Sequence, residues 1–153
     1  MYKNITSKFI METHDHLLVK ESSSKESDKY ASLKFDSSIL TSSIIKVYKG
    51  PEYDLLTNEQ QKQLQDQEFT VSNLYDRMAY RFKELLPNHL KSIITSPILP
   101  GTIQLTPSGN LIALMRDCQT TGGYPRILQL KEASINVLAQ KFRGSVIRFQ
   151  LLE

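Results

Sequence analysis

A single cysteine, Cys118, stands in 153 residues, so no internal disulfide can form. No apolar run approaches the ~20 residues that a membrane-spanning helix needs, which excludes a helical membrane protein. The opening MYKNITSKFIMETHD lacks the basic, apolar and small-residue succession of a secretory signal. Together with the lone cysteine, this points to a reducing, cytoplasmic setting. Charge of one sign is missing too. Nineteen Lys and Arg face 16 Asp and Glu, for a net charge of +3, and no arm or helix gathers the basic residues. Nucleic acid is therefore set aside as a partner. Internal repeats, a Pro-rich linker and an acidic tail are also absent.

What remains is the composition of an ordinary globular domain, 40% hydrophobic and 23% charged, with length for one core. Residues 20–32, KESSSKESDKYAS, hold too few apolar side chains to offset their ordering entropy and read as an exposed loop. A short strand is expected just before it, at HLLV, residues 16–19. Residues 1–43 form a poorly defined N-terminal segment, and the compact body, residues 44–153, starts near Ile44. From there apolar and polar residues alternate with period two, the pattern of strands with one buried face. Strands are expected at SIIKVYKG, DRMAYRFK, KSIITSPIL, GTIQLT, LIALMR, RILQL and SVIRFQLL. In DRMAYRFK, Met78, Tyr80 and Phe82 fall on one face and Arg77, Ala79, Arg81 and Lys83 on the other. Pro100-Gly101 and PSGN supply turns. This spacing predicts a mainly β, closed or sandwiched structure.

Two short helices interrupt it. Thr57 followed by Gln60 forms a capping box that starts a helix over about residues 58–66. Its polar composition keeps it on the surface, with Leu64 inward and Leu55, Leu56 and Phe69 anchoring its ends. In EASINVLAQKF, Ile135, Leu138, Ala139 and Phe142 recur at three- and four-residue spacing, and Gly144 ends that helix.

The stretch LMRDCQTTGGYPRI, residues 114–127, breaks an apolar strand with polar residues and two glycines. Gly122 and Gly123 can take positive φ and admit a close neighbour. Gln119, Thr120, Thr121 and the glycine N–H groups offer donors and acceptors, Asp117 accepts, and Tyr124 supplies a flat wall. The stretch reads either as a surface recognising a small amide or carboxylate, or as a tight bulged turn between core strands. No nucleophile with an adjacent base appears in it. Arg77 and Arg81 can grip an anion, or simply face solvent. Asp76 can bond a loop N–H. Gln104 can orient a substrate from a neighbouring strand. Cys118 is reactive if Arg116 and Arg126 make its loop electropositive, and a buried filler otherwise. His14 and His16 are two metal ligands without a third, so no metal site is expected.

The stretch GTIQLTPSGNLIALMRDCQTTGGYP, with TVSNLYDRMAYRF and SIIKVYKGPEYD upstream, resembles the biotin-dependent carboxyltransferase-like proteins. That family is also called allophanate hydrolase subunit 2 or the kinase-inhibitor antagonist family. The resemblance runs from Ile44 to Glu153 and matches the family's C-terminal half alone. It departs from the usual pattern at Cys118, where arginine is usual, and at Ala79, where glycine is. The resemblance implies a cyclophilin-like β-barrel within a subunit of an ATP-dependent 5-oxoprolinase or a urea carboxylase or allophanate hydrolase complex. The expectation is a barrel mouth that holds a small amide or ureido compound through Gln104, Gln119, Thr120, Thr121, the Gly122-Gly123 backbone and Tyr124, with Asp76, Arg77 and Asp117 nearby. ATP would act in the assembled complex and biotin on a partner, with no cofactor bound by this chain alone. The chain alone would be inactive. The implied partner is a paralogous cyclophilin-like subunit, of the allophanate hydrolase subunit 1 or kinase-inhibitor type. A second implied role is a non-catalytic regulator that binds a cyclophilin-like histidine-kinase inhibitor. Sheet edges left open by a missing half would favour self-association.

Overall fold

The computed structural model describes residues 37–152, together with His14 and His16. Apart from His16, the strand expected at 16–19 lies outside the described residues, as does the Ser-rich stretch 20–32. His14 and His16 are exposed, and among the described residues no three His, Cys, Asp or Glu are grouped to hold a metal. No helix among them is long and apolar enough to cross a membrane.

Seven strands close into a barrel. In chain order they are β1 (Ile44–Lys49), β2 (Phe69–Tyr75), β3 (Ala79–Leu85), β5 (Thr102–Leu105), β6 (Asn110–Leu114), β8 (Arg126–Leu130) and β9 (Val146–Leu151). The remaining pair, β4 (Ser96–Pro97) and β7 (Thr121–Gly122), forms a separate two-stranded ribbon. Around the barrel the order is β1, β8, β5, β6, β3, β2, β9, and β9 returns to pair with β1 in parallel. The architecture is mainly β, as a cyclophilin-like barrel requires. Among the described residues the barrel itself closes without an open edge.

Period-two alternation explains most of these strands. Ile45 and Val47 of β1, Tyr80 and Phe82 of β3, and Ile147 and Phe149 of β9 point inward, while Lys46, Arg81 and Arg148 point out. Phe69, Phe82 and Phe149 meet inside with ring centroids 5.0 to 6.0 Å apart, two of the three contacts edge-on. The Pro100-Gly101 turn before β5 needs its glycine, which sits at φ +87° with the Ile135 side chain 2.9 Å from where a Cβ would be.

Several expectations need correction. The segment Phe69–Tyr75 is a strand that the periodicity does not predict, because its alternation fails: Val71 and Ser72 are both buried, residues 73–75 are exposed, and the register against β3 shifts. Conversely, the apolar stretch 91–99 yields only the two residues of β4, and Ile94 stands in solvent. Met78 lies in the turn before β3 and is exposed rather than aligned with Tyr80.

A short helix, α1 (Ser38–Thr41), lies upstream of Ile44, and the Lys141 ammonium donates to its Leu40 carbonyl at 2.8 Å. The helix α2 (Asn58–Asp66) occupies the expected span, with both halves of its capping box formed. The Thr57 N–H donates to Gln60 Oε1 at 2.8 Å and the Gln60 N–H to Thr57 Oγ1 at 3.3 Å. Leu56, Leu64 and Phe69 are buried as anchors, but Leu55, in a 3-10 turn over Tyr53–Leu55, is exposed. The helix α3 (Glu132–Ala139) stops earlier than expected, and Phe142 is 68% exposed rather than packed. The chain turns away because the Lys141 N–H bonds back to the Leu138 carbonyl and the Lys141 carbonyl accepts the Tyr80 hydroxyl at 3.1 Å.

Candidate functional site

The row of cross-strand partners Gln104, Ile112 and Arg81 runs over β5, β6 and β3 on the face opposite to Ile103, Ala113 and Tyr80. Because the second set lies in the core, the first lies on the outer wall of the barrel. Here a cleft of about 560 Å³ opens. Gln104, Ile112 and Arg81 form its floor. The β2–β3 hairpin, residues 73–79, makes one side, and Gln119 and Tyr124 make the other.

The double glycine plays a role other than the expected one. Positive φ occurs at Gly101, Gly109 and Gly144 but at neither Gly122 nor Gly123. Gly122 is closely approached, since a Cβ there would lie 2.5 Å from Gln104 Nε2, the end of a side chain that would have to shift. Thr121 and Gly122 pair with Pro97 and Ser96. The Thr120 carbonyl accepts from the Ile98 N–H, and the Gly123 carbonyl from the Ile93 N–H. The backbone of this stretch is thus largely engaged in a ribbon laid over Gln104, which is only 2% exposed. Thr120, Thr121, Gly122 and Gly123 are not among the walls of the cleft. Among the described residues the Gln104 amide makes one hydrogen bond, a long 3.5 Å donation to the Tyr124 carbonyl.

The other candidates divide. Asp76 Oδ1 accepts from the Met78 and Ala79 N–H groups at 2.8 and 2.9 Å, shaping the hairpin turn. Those bonds hold its carboxyl below the usual range. Ala79 supplies one of these donors and lines the cleft. Arg77 lies in the turn, not on the strand, and its Nε pairs with Asp117 Oδ2 at 2.7 Å. Both face a second, smaller cleft of about 380 Å³ on the far side of the hairpin, with Tyr75, Tyr80 and Met115. Arg81 stands in the main cleft without a partner among the described residues.

Cys118 is not in an electropositive pocket. Arg116 is held by Glu132 at 2.6 Å and Asn136 at 3.2 Å, and Arg126 by Glu52 at 2.7 Å. Burial, helped by Asp117, pushes the Cys118 thiol up, the opposite of activation. Sequence reasoning missed Glu52, which carries no local signal because its partner lies 74 positions away. It also missed the bulge in β8. The ladder pairs Ile103 with Leu128 and Gln104 with Arg126, so Ile127 is the extra residue, and Arg126 emerges beside Gln104 on the outer wall.

The family model for the carboxyltransferase domain, subdomains A and B, matches residues 8–151. The chain belongs to this family. The match begins well upstream of Ile44. Within the carboxyltransferase-domain family, a 5-oxoprolinase subunit of Haemophilus influenzae is 36% identical over 109 residues, 70% of this chain and 35% of the relative. The corresponding 5-oxoprolinase subunit of Escherichia coli is 35% identical over 107 residues, 69% and 34% of the two chains. The chain therefore spans about a third of the length of the curated relatives it matches. Among solved structures, the urea carboxylase of Kluyveromyces lactis superposes with a TM-score of 0.66 at 20% identity, over 72% of this chain and 11% of that one. At this identity the likeness speaks to the fold alone.

Proposed function

We propose that this carboxyltransferase-family chain is part of a subunit of a 5-oxoprolinase-type complex, and that its outer-wall cleft binds a small amide bearing a carboxylate. The observation that carries the reading is Arg81: a guanidinium, unpaired among the described residues, in register with a buried carboxamide across three strands. A guanidinium grips a carboxylate with two parallel donors, and the Gln104 and Gln119 amides suit an amide group. Leu74, Met78 and Ile112 supply the apolar surface that a ring or short chain would cover. A ureido compound without a carboxylate would leave Arg81 unused.

The cleft does not fit a polyphosphate. Among the described residues it presents one unpaired cation, Arg81, opposite the Asp76 carboxylate, and no helix N-terminus opens onto it. No step through ATP or biotin is assigned to these residues. Both belong to the assembled complex in this reading. Nor does a nucleophile stand beside a base in the cleft. Binding and orientation fall to this chain, and bond-making to the rest of the subunit or to a paralogous partner, in a cytoplasmic setting.

Titration calorimetry with 5-oxoproline and with urea tests this. We expect 5-oxoproline to bind, urea not to, and Arg81→Ala to weaken binding by roughly ten- to a hundredfold, the worth of a charge-assisted bond of ~1.5–3 kcal/mol. Binding of urea equal to that of the acid, no binding of either, or indifference to Arg81→Ala would refute it.

A further inference from the structure

Among the five ion pairs of the described residues, Glu52–Arg126 is the most enclosed, with side chains 15% and 20% exposed against 45% or more in the others. Arg126 gives Nη2 to Glu52 Oε1 at 2.7 Å and Nε to Oε2 at 3.0 Å, and its backbone N–H reaches Oε2 at 2.8 Å. Its remaining nitrogen, Nη1, crosses to the Pro97 carbonyl of β4 at 3.1 Å. One guanidinium therefore fastens the turn after β1, the bulged start of β8 and the ribbon.

The ribbon needs such a fastening. Two strands of two residues cannot hold themselves on a surface. Their other attachments to the barrel include the buried Ile98 side chain, the Leu105 N–H donated to the Pro125 carbonyl at 3.0 Å, the Leu99 N–H donated to Thr102 Oγ1 at 3.3 Å and the long Gln104 bond to the Tyr124 carbonyl. Gln119 and Tyr124, which wall the cleft, each lie two positions from an end of β7. We infer that Glu52 and Arg126 are positioning residues of the cleft: through Pro97 they seat the β4–β7 ribbon on Gln104, and so set where Gln119 and Tyr124 stand. The inference rests on the proposed function only for the use made of the cleft.

Amide hydrogen exchange tests it with the full chain. The Ile93 and Ile98 N–H groups report the ribbon, because their acceptors are the Gly123 and Thr120 carbonyls across it. Core strand amides report global stability, and the Gln104 side-chain amide resonance reports the seat. We expect Glu52→Gln and Arg126→Lys each to speed exchange at Ile93 and Ile98 at least tenfold more than at the core amides, and to shift the Gln104 signal. Glu68→Gln, which removes the exposed partner of Arg148, should change none of these. Unchanged ribbon exchange in both variants would overturn the inference. So would parallel acceleration of ribbon and core, or failure of Glu52→Gln to fold, because either would make the pair a general stabiliser. Since no ligand enters the measurement, a cleft that fails to bind 5-oxoproline refutes the proposed function and leaves this result to stand or fall by itself.

Discussion

Gly122→Ala places a methyl group 2.5 Å from Gln104 Nε2 and 3.2 Å from Ile98 Cδ1, about 1 Å inside ordinary contact with the amide. Two relaxations are open. The Gln104 carboxamide can withdraw, which gives up only its long bond to Tyr124, worth less than about 1 kcal/mol. Alternatively the ribbon lifts, and Ile98 loses part of a burial worth ~1.5–3 kcal/mol. The reduced freedom of the unfolded chain returns ~0.4–1 kcal/mol. The cheaper route sets the cost, so withdrawal of the Gln104 carboxamide leaves a net change within about 1 kcal/mol of zero, a shift in Tm of no more than about 4 °C for a chain of this size. The internal control is its neighbour. A Cβ on Gly123 meets only the Ile93 carbonyl at 3.5 Å, and φ there is not positive, so Gly123→Ala should be neutral or slightly stabilising. Thermal unfolding of both variants, with the Gln104 side-chain amide followed by NMR, checks this. A Gln104 resonance unmoved in Gly122→Ala, or one moved equally in Gly123→Ala, would mean that the ribbon does not press on that side chain.

The remaining predictions concern the ion pair and the core. Hydrogen bonds from Arg126, set against a smaller opposing effect of burial, hold the Glu52 carboxyl below its ordinary 4.5. The stability this contributes is fully present above about pH 4.5 and is lost as the pH falls through the lower folded value. Glu52→Gln should therefore flatten that part of the acid unfolding curve, and an unchanged acid limb would show that the pair contributes nothing there. Phe82→Ala empties a place in the aromatic cluster and should cost ~3–5 kcal/mol in urea unfolding. Phe142→Ser should stay within about 0.5 kcal/mol because that ring is exposed, and comparable losses would contradict its placement.

Elements whose signal is local were legible. The capping box at Thr57 and Gln60 marked α2 to its first residue, and the alternation in β1, β3 and β9 marked which side chains meet inside. The strand β2 was hidden because a register shift destroys the alternation, and Phe142 misled because helical spacing alone cannot say where the chain turns away. At the site, Gln104, Gln119 and Tyr124 do share a cleft with Asp76. Arg77 and Asp117 face the other side of the hairpin, and the threonines and glycines form the ribbon beside it. Arg81 could be seen in the sequence as outward-facing, but not as unpaired.

By itself, the sequence determined that this chain makes a mainly β structure, closed or sandwiched, with two capped or apolar-faced helices, since alternation, caps and turn residues act through neighbours a few positions apart. It also carried the family signature around the double glycine. Only the tertiary structure decided that Gln104, Ile112 and Arg81 line a cleft on the outer wall, that Gly122 lies against a glutamine without reaching positive φ, and that Glu52 secures Arg126. Those facts depend on strand register, on one bulge and on partners up to 74 positions apart, and no periodicity along a chain encodes which distant residue will stand opposite.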